Sequence, residues 1–117
     1  MSTVGTVTSQ GQPQKGQTQR SSNNFPNFDI PSGTSNLEWS VSVQGGDINS
    51  LRFDVMQDVS LGHDPTLLSN VAAGETAPVK TGGGTFESGG SYYIANPKDI
   101  STGGWYGDSF TVTVETA

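Results

Sequence analysis

Leu37-Glu38-Trp39-Ser40-Val41-Ser42-Val43 is the stretch that decides the fold. Apolar and polar side chains alternate along it without a break, the period-two pattern of a strand with one buried face. Gly45-Gly46-Asp47 follows and supplies turn chemistry, because glycine accepts positive φ at no steric cost. Leu51, Phe53 and Val55 then alternate again, with Arg52, Asp54 and Met56 facing outward. Near the other end Phe110, Val112 and Val114 alternate with Thr111 and Thr113. Shorter strands are expected at residues 76–80, 85–87 and 91–95, separated by glycine clusters at 82–84, 89–90 and 103–104. Residues 65–73 are the one place where a helical turn is expected, without a repeating helical face behind it.

Short strands punctuated by turns predict an all-β chain, a small antiparallel β-sandwich of jelly-roll type. No spacing of alternating strands and helices speaks for a parallel sheet. The expected core is Leu37, Trp39, Val41, Val43, Leu51, Phe53, Val55, Tyr92, Ile94, Phe110, Val112 and Val114.

Composition sets the same limits. The 117 residues amount to one domain, yet only 31% are hydrophobic and glycine takes 16 positions. Charged residues reach only 14%, so Ser, Thr, Gly, Asn and Gln fill the difference. A helical bundle needs Leu, Ala, Glu and Lys in quantity and is excluded on that ground. With no cysteine there is neither a disulfide framework nor a thiolate metal site. No apolar run approaches the roughly 18 residues of a helical membrane span. The first residues, Met1-Ser2-Thr3-Val4-Gly5-Thr6-Val7, lack a basic region followed by an apolar one, so synthesis in the cytoplasm without a signal peptide is expected.

A change of character falls near residue 24. Residues 1–24 hold Gln10, Gln12, Gln14, Gln17 and Gln19 among Ser, Thr and Gly, with Val4 and Val7 as the branched apolar side chains. Lys15 and Arg20 are their only charges, so the segment carries +2; all 11 acidic residues and the remaining basic ones fall in 25–117, which carries −8. The expectation is an extended polar N-terminal arm over 1–24 and a sandwich domain over 25–117. The arm would add a strand through Val4 and Val7 to the sheet edge of a neighbouring subunit. Lys15 and Arg20 would then lie against an acidic body.

The run Ser88-Gly89-Gly90-Ser91-Tyr92-Tyr93-Ile94, followed by Asp108-Ser109-Phe110-Thr111-Val112-Thr113-Val114, resembles the closing strands of bacterial pre-peptidase C-terminal modules. The segment from Trp105 to Val114 is also similar to the last strands of calcium-dependent bacterial galactose-binding lectins. Both resemblances imply a β-sandwich. The lectin calcium ligands are not implied, because Trp105 and its glycine neighbours stand where a pair of asparagines would be needed.

Candidate chemistry is sparse. His63, the single histidine, precedes Asp64-Pro65 and reads as a solvated turn rather than a general base. Asp47, Asp54, Asp58, Asp64, Asp99 and Asp108 are the oxygen donors a calcium ion would need, and residues 96–104 have the Asn, Asp and Gly content of a calcium loop. That loop lacks the spaced-carboxylate pattern and contains Lys98, so the expectation is no cofactor, with calcium as the one metal the residue types admit. The aromatic concentration of Tyr92, Tyr93, Trp105 and Tyr106 invites a ligand or interface loop, with Tyr93, Trp105, Tyr106 and Asp108 as its candidate residues. Strand alternation turns Tyr92 inward and Tyr93 outward. The glycines at 82–84 are not followed by the Lys-Ser/Thr ending of a phosphate loop. Nucleic acid is disfavoured as a partner by the charge of the body.

No assembled catalytic set is visible, so the expected role is non-enzymatic. The first reading is a structural subunit, such as a virion decoration, cement or tail-associated protein, whose arm grips copies of itself or a larger shell or filament protein. Its location would be a virion or another extracellular assembly. The alternative is a carbohydrate-binding, lectin-like sandwich module taking a glycan on the Trp105 loop.

Overall fold

The computed structural model describes residues 3–10, 27–60, 62–79, 86–87 and 89–116, with residues 7–10 described by backbone alone. Among these residues eight strands run in chain order: β1 (Thr3–Gln10), β2 (Phe28–Asp29), β3 (Asn36–Gln44), β4 (Leu51–Gln57), β5 (Thr66–Val71), β6 (Thr76–Pro78), β7 (Ser91–Asp99) and β8 (Ser109–Thr116). They form two four-stranded sheets, ordered β1-β8-β3-β6 and β2-β7-β4-β5, in which every pairing is antiparallel. The chain is an all-β sandwich, as the alternation predicts.

The deciding stretch lies at the centre of the first sheet. In β3, Trp39 pairs with Val114 of β8, Val41 with Val112 and Val43 with Phe110, so the inward rows of two distant segments face the core together. Leu37 and Trp39 are fully buried, whereas Val41 and Val43 are half-buried and pack on the rim of the core. The opposing sheet supplies Leu51, Phe53 and Val55 from β4, with Tyr92 and Ile94 from β7. Trp39 is the hub: its ring meets Phe28 at 6.0 Å, Phe86 at 6.0 Å and Phe53 at 6.4 Å, in tilted or edge-on arrangements that suit the aromatic quadrupole. Phe28, Ile30, Val71, Ala77, Phe86 and Tyr106 also enter the core, and sequence alternation did not single them out.

Two expectations are corrected here. Residues 65–73 hold strand β5 rather than a helical turn. The segment at 85–87 does not appear as a strand among the described residues; Phe86 is a buried plug between Trp39 and Tyr92, and Thr85 lies outside them. Strand β1 is hydrogen-bonded along β8 of its own chain, Val7 opposite Val112, while the expected boundary at residue 24 lies outside the described residues. Gly5 makes the close approach between sheets: a Cβ there would fall 2.6 Å from the Cβ of Phe28. Val4 packs against the core, while Lys15 and Arg20 lie outside the described residues.

Candidate functional site

Asp54 is the one buried charged residue among those described. It projects from the outer face of β4, as the alternation of Leu51, Phe53 and Val55 requires, and each neighbouring strand carries a bulge beside it. Against β7 the register steps from Arg52↔Lys98 to Asp54↔Ala95, leaving an extra residue at Asn96–Pro97. Against β5 it steps from Phe53↔Val71 to Val55↔Leu68, leaving an extra residue at 69–70. Each bulge contains an asparagine with left-handed backbone, Asn70 at φ 57° and Asn96 at φ 53°; no other non-glycine residue described has positive φ. Asparagine tolerates that region better than other side chains. Bulges re-aim side chains, and strained residues of this kind gather at functional sites.

Both asparagines are aimed at Asp54. The backbone N–H of Asn70 donates to Asp54 Oδ1 at 3.1 Å, and Nδ2 of Asn96 donates to Oδ2 at 2.7 Å. Lys98 Nζ donates to Asp54 Oδ1 at 3.1 Å and to Asn70 Oδ1 at 2.8 Å. A buried carboxylate is tolerable only when its lone pairs are filled in this way. The arrangement fixes the Asn96 amide with its nitrogen towards Asp54. That leaves Asn96 Oδ1 buried and without a hydrogen-bond partner among the described residues.

The end of β7 folds back over this group. Asp99 N–H donates to Gly104 O at 2.9 Å, Gly103 N–H to Asp99 O at 2.8 Å and Tyr106 N–H to Pro97 O at 3.1 Å. Trp105 is thereby bridged to Lys98 across a short antiparallel pairing. Asp99 holds the turn by accepting from the Ser101 hydroxyl and backbone N–H, and those bonds, the hydroxyl first, lower its carboxyl below the usual range. The product is an open cleft of about 350 Å³ lined by Asp54, Asn96, Lys98, Gly103, Gly104 and Trp105. Clefts of ~300 Å³ and above are the size that takes small molecules.

Of the aromatic-loop candidates, only Trp105 lines the cleft. Tyr93 is buried rather than outward-exposed, and its hydroxyl donates to Asp64 Oδ2 at 2.5 Å. Tyr106 is in the core against Phe110, its hydroxyl donating to the backbone oxygen of Asp47 at 3.1 Å. Asp108 is exposed beside Gly46, on the Tyr106 side. His63 is exposed in the loop before β5. Among the described residues no three His, Cys, Asp or Glu side chains gather as a metal site, and Asp54 is committed to Lys98. Asp54 and the 96–104 loop, which holds Asn96 and Lys98, entered the sequence reading only as candidate calcium chemistry and not together with Trp105. Their signal was the pairing of polar residues with a glycine-flanked Trp in 96–105, read there as calcium chemistry.

No family model matches the chain, and no curated protein or solved structure matches it.

Proposed function

We propose that the chain is a non-catalytic binding module whose Asp54–Trp105 cleft takes a polyhydroxylated ligand, a single sugar residue of a glycan. The observation that carries this reading is the composition of the cleft: one indole beside a hydrogen-bonded carboxylate, carboxamide and ammonium. The C–H face of a sugar ring is weakly positive and stacks on the negative face of an indole. Ring hydroxyls both donate and accept, matching the acceptor Asp54 and the donor Lys98 on the cleft wall. Gly103 and Gly104 put no side chain over the approach. The volume suits one ring, so affinity for a free monosaccharide is expected to be weak, with repeated copies of the module needed for avidity.

Tryptophan fluorescence tests the reading directly. Trp39 is fully buried, so a ligand-dependent shift reports on Trp105. Titration with a panel of neutral and acidic oligosaccharides should give a saturable shift, and calorimetry should show that binding lost in Trp105→Ala while the far-ultraviolet spectrum is kept. A flat response across the panel, or binding that survives Trp105→Ala, overturns it.

The structural-subunit reading is the second. Its support is the position of β1 at a sheet edge, open to pairing on its outer side. Since β1 completes the chain's own sheet, a neighbour would be gripped along that edge or through residues 11–26, which lie outside those described. A concentration-dependent mass in sedimentation, lost on placing proline at an outward-facing N–H of β1, is what this reading requires.

A further inference from the structure

Lys98, Asn70 and Asp54 bring together an amine, a carboxamide and a carboxylate on three adjacent strands of one sheet. Nζ of Lys98 contacts Asn70 Oδ1 at 2.8 Å, one bond from the carbonyl carbon, and Asp54 Oδ1 at 3.1 Å. Asp54 sits on β4 between the other two, with its side chain 9% exposed against 36% for that of Lys98. The left-handed backbone of Asn70 is what turns its side chain along the sheet towards Lys98. We propose that these residues close an intramolecular isopeptide bond between Lys98 and Asn70, with Asp54 as the proton-transfer group.

The reaction balances with no partner beyond the three side chains. Asp54 takes a proton from the Lys98 ammonium, and the freed lone pair of Nζ attacks Cγ of Asn70. The C–N bond forms, Asp54 receives the second Nζ proton as it returns the first to the departing amide nitrogen, and the Cγ–Nδ2 bond breaks. The released ammonia leaves with the remaining proton as ammonium; nothing is oxidised or reduced. In open solution an amine does not attack a carboxamide at a useful rate. Here the sheet holds both groups in contact, which replaces a bimolecular encounter by a high effective concentration. The base is already hydrogen-bonded to the nucleophile. The bond would tie edge strand β5 to β7 across β4, beneath the cleft; it replaces the Lys98 ammonium by an amide N–H, still a single hydrogen-bond donor, and leaves Trp105, Asn96 and Asp54 in place.

Intact-mass measurement of the purified full chain decides it. The expected mass is that of the sequence less one ammonia, allowing for removal of the initiator methionine. Proteolysis should give one branched peptide joining the segments around Lys98 and Asn70. Lys98→Arg keeps the charge and should restore the full sequence mass; Asn70→Asp should close with loss of water in place of ammonia. Asp54→Asn, close in shape to the wild type, should fold and stay uncrosslinked. A wild-type mass equal to the sequence after prolonged incubation at neutral pH overturns the proposal. So does an ammonia loss that persists in Lys98→Arg, which marks a succinimide instead, or a cross-link that forms unchanged in Asp54→Asn.

Discussion

Tyr106 shows how one side chain reports on its surroundings. Burial raises its phenol above the ordinary value near 10, and the charges of Asp108, Asp47 and Asp99 push the same way. The folded state therefore holds the phenol proton more tightly than the unfolded chain does. That contribution is complete below the unfolded value, about 10, and is lost as pH rises towards the raised folded value. Denaturant midpoints should fall with pH above about 10 in the wild type. Tyr106→Phe should flatten the fall and lower stability by about 1 kcal/mol at neutral pH, through loss of the bond to the Asp47 oxygen. An equal slope in both proteins would show that another group controls the alkaline limb. The same scale explains what could be read in advance. Trp105, among glycines and beyond a strand, was legible as an available aromatic. Asp54 was legible as outward-facing, which is correct, but its burial comes from a turn and two bulges that exist only once partner strands are in register. Tyr93 misled because outward on the sheet is not the same as exposed when Asp64 reaches its hydroxyl from a neighbouring loop.

Strands β3, β4 and β8 were legible because each keeps a strict alternation and each lies inside a sheet. Strand β5 was not, since two register shifts break the period, one at 69–70 and one at Leu67, and the second leaves Leu67 and Leu68 side by side at the rim of the core. Strand β1 was legible as extended, but its pairing with β8 of its own chain was not. Polar composition hid the packing, which rests on Val4 and on the absence of a side chain at Gly5. A Cβ at Gly5 has backbone-near atoms of Phe28 in its way, so the sheets must part locally to admit it. Gly5→Val should cost about 1–3 kcal/mol, measured by chemical denaturation. Removing residues 1–10 should be worse, baring the inner edge of β8 and promoting aggregation visible by light scattering. A truncated chain as stable and monodisperse as the full one would mean that β1 contributes no packing.

At the level of the molecule, a net charge of −6 and a modest core describe a sandwich closed by a few long-range pairings. Thr3 lies opposite Glu115 and Gln10 opposite Ser109, so the first and last strands are antiparallel neighbours with their outer ends together. This has a mechanical meaning. Tension applied between residues 3 and 116 loads the β1–β8 hydrogen bonds one at a time, like a zip. Tension between residues 10 and 116 loads the same row in shear, all at once. In an optical trap the first geometry should yield at low force, releasing the eight residues of β1 in a step of about 25 Å of strand, while the second resists to a markedly higher force. Under load the sandwich surrenders one strand at its edge, leaving the cleft on the opposite sheet undisturbed.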